Sequence, residues 1–563
     1  MATEPVLPAS EPVLDVRGLK TFYRLPGGAE LRAVDDIGFT LHPGRTLCIV
    51  GESGSGKSVT ARSVMGIVPP PGRVVGGEVL YRPGPGQPPV DLAKLPPRGR
   101  AYRAIRGRGI AMVFQEPMTS LSPLHRIGRQ IGEGLVAHGM ATPREAEARA
   151  VDLLRQVEIP SPETAIRRYP FEFSGGMRQR AMIAMALACH PRVLIADEPT
   201  TALDVTTQAE ILRLLARLQG ENGLAVLFIT HDMGVVAQIA DDVAVMYRGR
   251  MVEQAPVRTL FAEPQHAYTR ALLDASRKLG MAAAPAAPAA PSGQVLMSVR
   301  DLRLTYPGQP RMFGRAEPPK PALKGVSFDL YEGENLGIVG ESGSGKTTLG
   351  NCLIRVLRPD GGSVRYAARD GQVVDLLPLD RTGLRRVHRE VRMVFQDPFA
   401  SLNPRMTVEQ VVGEPLRVHG VASGEALRRR VRELLTSVGL PPDAGRRYPH
   451  AFSGGQRQRI SIARALALDP RLVIADEATS ALDVTLRGQI LDLLLDLQPR
   501  LGLSFVLISH DLGVVRYFCN RVAVMFGGEI VEIGTAEDVC TRPSQPYTRR
   551  LMAAVPEARV AGA

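Results

Sequence analysis

The chain of 563 residues is 44% hydrophobic and 22% charged, which is the balance of a folded protein rather than a disordered one, and it is too long for a single core. Lys and Arg exceed Asp and Glu by 12, yet no block of five or six basic residues occurs; with 5% aromatics and no Trp, a nucleic-acid stacking platform is not expected. Cys48, Cys189, Cys352, Cys519 and Cys540 are scattered without a C-x-x-C pair, which argues against a zinc or clustered iron–sulfur motif and suits buried thiols in a reducing compartment. The basic excess reads as Arg spread over exposed helix faces, the densest stretch being Arg428, Arg429, Arg430 and Arg432.

In chain order, residues 1–10 read as a flexible start without the basic and apolar regions of an export signal, and no run of 18 apolar residues follows anywhere, so no membrane span is predicted. RTLCIVG (45–51) is a short apolar run ending in Gly, which predicts a buried strand. It leads into GESGSGKS (51–58), a match to G-x-x-x-x-G-K-[ST]. Gly51, Ser53, Gly54 and Gly56 let the backbone wrap with its N–H groups toward phosphate oxygens. Lys57 is expected to reach the β- and γ-phosphates, and Ser58 to offer a hydroxyl to Mg²⁺.

MVFQEPMTSLSP (112–123) opens a mainly helical stretch over about 116–190. Within it, Ser174-Gly175-Gly176 before Met177 reads as a helix N-cap with open backbone donors, a second anion site. VLIADE (193–198) predicts a strand whose last two residues point to opposite faces, so Asp197 and Glu198 divide the work: Asp197 for Mg²⁺, Glu198 for the attacking water. EILRLLARLQG (210–220) predicts a helix with Ile211, Leu214, Leu215 and Leu218 on one face, stopping at Gly220. A strand then ends at His231, and DDVAVMYRGRMVEQ (241–254) predicts an antiparallel hairpin turning at Arg248-Gly249. EPQHAYTRALL (263–273) closes the half as an amphipathic helical cap, and the Ala/Pro segment 278–296 reads as a semi-rigid linker.

The second half repeats the first. GESGSGKTTLG (340–350) supplies Gly340, Ser342, Gly343, Gly345, Lys346, Thr347 and Thr348; MVFQDPFASLNP (393–404) contains Gln396, as its counterpart contains Gln115. Ser453, Gly454, Gly455 and Gln456 repeat the N-cap, LVIADE (472–477) brings Asp476 and Glu477, and LISHDLGVV (507–515) brings His510. The expected domains are 11–277 and 297–563, each with alternating strands and helices and hence a mostly parallel sheet.

On these motifs, FSGGMRQR and FSGGQRQR above all, the chain resembles the ATP-binding cassette family over nearly its whole length. The resemblance implies an α/β fold of two P-loop NTPase domains, each with a RecA-like core, a helical subdomain and an antiparallel β subdomain. It implies two ATP sites in an internal pseudo-dimer, each pairing the phosphate loop of one half with the signature Ser-Gly-Gly of the other. By the same resemblance Gln115 and Gln396 are Q-loop residues touching Mg²⁺ and water, and His231 and His510 are switch histidines. Asp204 and Asp483 are D-loop residues, and Tyr23 and Tyr306 stack on adenine, with Phe22 as a competitor. Two departures from the pattern are Met177, where Gln is usual, and Ala478, where Pro is usual; both halves are expected to hydrolyse ATP. The Q-loop flanks, MFGR (312–315) and the tails EPQHAYTRALL and RPSQPYTRRLM (542–552) resemble the oligopeptide/dipeptide/nickel importer branch. That branch implies two transmembrane permease subunits, a separate solute-binding protein, a peptide-like solute, no nucleic acid and a place on the cytoplasmic face of the inner membrane. The other classes weighed are a soluble two-cassette ATPase of ribosomes or DNA, whose long charged linker is missing, and a sugar-importer ATPase, which often has one degenerate half.

Overall fold

The computed structural model describes residues 11–25, 27–116, 120–201, 203–280, 293–308, 318–480 and 482–556. The MFGR stretch and most of the Ala/Pro linker lie outside them. The chain forms two compact units, the first built mainly from residues up to 276 and the second mainly from residues 277 to 555.

In the first unit, strands β1 (Leu14–Arg24), β2 (Glu30–Leu41), β3 (Thr46–Val50), β4 (Gly72–Tyr81), β5 (Val90–Asp91), β6 (Ile110–Val113), β7 (Val193–Asp197), β8 (Ala225–Ile229), β9 (Asp242–Tyr247) and β10 (Arg250–Pro256) form two sheets. One is antiparallel, in the order β2-β1-β4-β5; the other, β10-β9-β3-β8-β7-β6, is parallel except for the β9–β10 hairpin. Strands β3, β6, β7 and β8 are buried along their whole length because each face has a core to cover it. Leu47 and Ile49 of β3 join the core shared with the antiparallel sheet, while Cys48 and Val50 join the core shared with the helices. That alternation puts the end of β3, where the phosphate loop begins, between two packed layers.

The helical lobe contains Ile127–Ala137, Pro143–Gln156 and Gly175–Leu187, matching the expected 116–190 region. One expectation is corrected. The helix predicted to stop at Gly220 runs from Val205 to Asn222 and ends before Gly223, which takes the left-handed conformation (φ 60°) that glycine adopts without strain. Gly220 meets nothing within 4 Å of an added Cβ and is simply tolerated on an open helix face.

The second unit repeats the design. Strands β11 (Val295–Tyr306), β12 (Lys320–Tyr331), β13 (Asn335–Val339), β14 (Gly361–Ala367), β15 (Val373–Asp375), β16 (Val391–Val394), β17 (Leu472–Asp476), β18 (Ser504–Ile508), β19 (Arg521–Phe526) and β20 (Glu529–Thr535) give the sheets β12-β11-β14-β15 and β16-β17-β18-β13-β19-β20. The helix before the linker extends to Lys278 and β11 begins at Val295, so the linker is shorter at each end than composition suggests. Among the described residues no helix is long and apolar enough to cross a membrane.

Candidate functional site

Each phosphate loop is shaped by glycines whose neighbours leave no room for a side chain. Gly51 (φ 151°) would place a Cβ 2.2 Å from the Met246 carbonyl oxygen, and Gly56 (φ 104°) would place one 2.2 Å from that of Ala33. Gly340 and Gly345 repeat the arrangement at 2.2 Å from Met525 O and 2.6 Å from Ala322 O. Ser53, Gly54, Ser342 and Gly343 face solvent at the tips, and helices Lys57–Val64 and Lys346–Leu353 follow at once, so their N-termini point into the loops. Lys57 is buried, with Nζ donating to the carbonyls of Gly51 (2.7 Å) and Glu52 (2.8 Å). Lys346 does the same to Gly340 (2.7 Å) and Glu341 (2.8 Å). Burial lowers the pKa of Lys346, with the carboxylates around it opposing that shift.

The acids separate as their positions at a strand end require. Ser58 Oγ donates to Asp197 Oδ1 at 2.8 Å, and Thr347 Oγ1 to Asp476 Oδ1 at 3.3 Å. Burial raises the pKa of both aspartates, that of Asp476 to about 6, with the adjacent Glu477 adding to the rise. The glutamates lie on the other side of the chain. Glu198 Oε1 meets His231 Nδ1 at 3.3 Å, while its Oε2 accepts from Gln115 Nε2 (3.0 Å) and Thr201 Oγ1 (2.9 Å). Burial opposes ionisation there, but the His231 contact, the Thr201 hydrogen bond and the Lys57 charge outweigh it and carry Glu198 down to about 2. Glu477 is likewise lowered, with His510 Nδ1 at 3.2 Å and Gln396 Nε2 at 2.7 Å. Both glutamates have positive φ (46° and 44°), a costly conformation for a residue with a Cβ, kept in both halves whether Pro199 or Ala478 follows.

The remaining predicted residues stand at varied distances from this centre. Ser174 caps helix Gly175–Leu187 by accepting from Met177 N at 3.3 Å, and Ser453 caps Gly454–Leu466 by accepting from Gln456 N at 3.4 Å. Only Gln456 returns the bond, its Oε1 accepting from Ser453 N at 3.1 Å, because the Met177 thioether carries no comparable acceptor. Gly176 lies against Thr207, where a Cβ would come within 2.6 Å, and Gly455 against Leu486. Asp483 caps the helix Val484–Leu501, and Asp204 directly precedes the matching helix. Tyr306 reaches the phosphate-loop helix through Thr348 (3.2 Å), whereas the Tyr23 ring lies against Gly72 and Phe22 lies under Arg32.

Two residues with no role assigned from the sequence also touch the loops. The Tyr268 hydroxyl accepts from Glu52 N at 2.9 Å, and that of Tyr547 from Glu341 N at 3.0 Å. The signal was the repeated Tyr-Thr-Arg of the two tails. In the second unit, Thr347, Arg392, Gln396, Glu414, His419 and Arg464 help line a cavity of about 660 Å³ beside the Q-loop.

Such a constellation can hold a polyphosphate and activate a water against it, in duplicate. The ABC transporter family profile matches residues 34–201 and 323–480. The chain belongs to the ABC transporter family. It is an ATP-binding ATPase of the transport class, which removes the ribosome and DNA reading. A second profile, the C-terminal region of oligopeptide/dipeptide transporters, matches residues 252–294 and 531–562. Among curated relatives, the glutathione import ATP-binding protein GsiA of Escherichia coli (strain K12) is 48% identical over 94% of this chain and 87% of its own. GsiA of Salmonella choleraesuis (strain SC-B67) is 47% identical over 98% and 90%.

Proposed function

We propose that the chain is the energy-coupling subunit of an importer for glutathione or a related small peptide, acting at the inner membrane with two permease subunits and a solute-binding protein. The observation that carries the reading is the paired Lys, Asp, Glu, Gln and His constellation, complete in both halves of a chain that matches glutathione-import ATPases along nearly its whole length. The oligopeptide/dipeptide C-terminal match in each half supports the solute class.

On ATP binding, Lys57 and Lys346 exchange the loop carbonyls for phosphate oxygens, a stronger charge-assisted pairing. Ser58 with Asp197, and Thr347 with Asp476, offer hard oxygen donors side by side, which suits Mg²⁺ held jointly with phosphates and water. Mg²⁺, when bound, would neutralise charge on the phosphates. Glu198 and Glu477, ionised, orient the water that attacks the γ-phosphorus as the bond to the β-phosphate oxygen breaks, and His231 and His510 hold each carboxylate in place. In this reading the signature Ser-Gly-Gly motifs, Ser174 to Met177 and Ser453 to Gln456, each serve the nucleotide of the opposite half, and Asp204 and Asp483 act as D-loops. Tyr306 has the better position of the two aromatics for adenine, since it borders the loop helix.

The test is solute uptake together with affinity purification from native membranes. Loss of labelled glutathione or dipeptide uptake on deleting the chain, with two polytopic proteins recovered on the tagged chain, is the expected result. Normal uptake of both solutes in the deletion strain would overturn the solute class, and recovery without any polytopic protein would overturn the partner reading.

A further inference from the structure

The phosphate loop has two limbs, and only the later one is anchored by its helix. In the earlier limb the carbonyls of Gly51 and Glu52 are held by Lys57 Nζ (2.7 and 2.8 Å), the same group that must turn to the phosphates when ATP arrives. Glu52 O also accepts from Ser55 N at 3.2 Å, a bond internal to the loop. Among the described residues, the hydrogen-bonded tether to that limb from outside the loop is the Tyr268 hydroxyl, which accepts from the Glu52 amide at 2.9 Å.

Tyr268 is itself fixed. Its ring lies 4.4 Å from that of Tyr247, at the end of the strand beside β3. The carboxylate of Glu253 on β10 accepts from the amides of Gln265 (2.8 Å) and His266 (2.9 Å), so the start of the tail helix Ala267–Lys278 is pinned. The second unit repeats each contact, with the same tyrosine and glutamate and different neighbours. Tyr547 accepts from Glu341 N at 3.0 Å and packs at 4.4 Å on Phe526, while Glu532 accepts from Ser544 N (2.7 Å) and Gln545 N (3.2 Å). Burial holds the Tyr547 hydroxyl at a pKa of about 12, so it stays protonated. Phe526 for Tyr247, Pro546 for Ala267 and Gln545 for His266 all differ, yet the tyrosine and its target amide recur.

We propose that Tyr268 and Tyr547 are positioning residues for the two nucleotide sites, holding the early limb of each phosphate loop as the lysine leaves it and thereby linking ATP occupancy to the seating of the C-terminal tail in each half. The tail is the part of each half matched by the oligopeptide/dipeptide C-terminal region, so the linkage joins the transport-branch element to the ATP site. The inference rests on the phosphate loops holding ATP, as the proposed function has it.

The test uses the full chain with Tyr268→Phe and Tyr547→Phe, singly and together; Phe keeps the ring and removes only the hydroxyl. The double variant is expected to raise the KM for ATP about three- to tenfold, a hydrogen bond's worth, with kcat within about twofold and an unchanged melting temperature. Hydrogen exchange gives the second readout: a non-hydrolysable ATP analogue should alter protection of the tail helices in the wild type and fail to do so in the double variant. A wild-type KM, a fall in kcat and melting temperature together, or an unaltered tail response would each overturn the proposal. Absence of ATP binding in the wild type would instead overturn the nucleotide-site reading beneath it.

Discussion

The two halves keep the same chemistry and differ around it. Lysine, aspartate, glutamate, glutamine and histidine recur with nearly the same contacts, down to a left-handed glutamate in each. The differences lie one layer out. The second half closes a capping box at Gln456 that Met177 leaves open in the first. Buried Ala111 and partly buried Met185 of the first half stand where the second has Arg392 and Arg464, which help line the 660 Å³ cavity. Burial lowers the pKa of both guanidiniums, and that of Arg392 is lowered further by Arg464. Arg62 of the first half, opposite Asn351, is the reverse case and stands in the loop helix near Asp197. The two halves thus keep the residues proposed to act on ATP and differ in what borders them, which is the expected result if each half meets a different partner surface.

The largest effect belongs to the shared chemistry. In the proposed reading Lys57→Ala or Lys346→Ala removes a charge-assisted bond to phosphate of about 1.5–3 kcal/mol, so equilibrium titration should show ATP affinity at the altered site falling about ten- to a hundredfold, similarly for both. A deficit confined to one half would break the equivalence. Next comes the cavity: giving the second half the first half's residues, Arg392→Ala with Arg464→Met, should lower solute uptake severalfold while ATPase activity of the free chain stays within about twofold. Uptake at the wild-type level would show the difference to be neutral. A smaller effect is expected at the caps, where Met177→Gln should stabilise and Gln456→Met destabilise by about 0.5–1 kcal/mol, read from denaturant melts.

The smallest is a pH effect. The pKa of Glu198 is depressed in the fold, so its share of stability is present above the usual carboxylate value near 4.5 and is lost as pH falls toward about 2. The stability gap between wild type and Glu198→Gln should therefore narrow across that window; a gap constant from pH 6 to 2 would contradict the His231 and Thr201 contacts. At neutral pH the glutamate is ionised, the form that the proposed water-orienting role needs.

The phosphate loops, the acid pairs and the hairpins were legible in the sequence because each is a local device. Gly51 and Gly56 are demanded by their own backbone, and Asp197 and Glu198 diverge because strand residues alternate. Gly220 misled because a single glycine on an open helix face costs only about 1 kcal/mol, which Ile211, Leu214, Leu215 and Leu218 offset by burial. Arg392 and Arg464 border a cavity, a fact of tertiary packing that a count of basic residues does not carry. The Tyr268 contact spans 216 residues and the Tyr547 contact 206, separations at which no periodicity signals a partner.

The most direct test of the central claim, two working sites in one chain, is steady-state ATP turnover in Glu198→Gln, Glu477→Gln and the double variant. Each single change should cut turnover at least by half while leaving it measurable, and the double change should lower it by about a hundredfold or more, the scale of lost general-base assistance. Full wild-type turnover in either single variant would show that its half is idle and contradict the account.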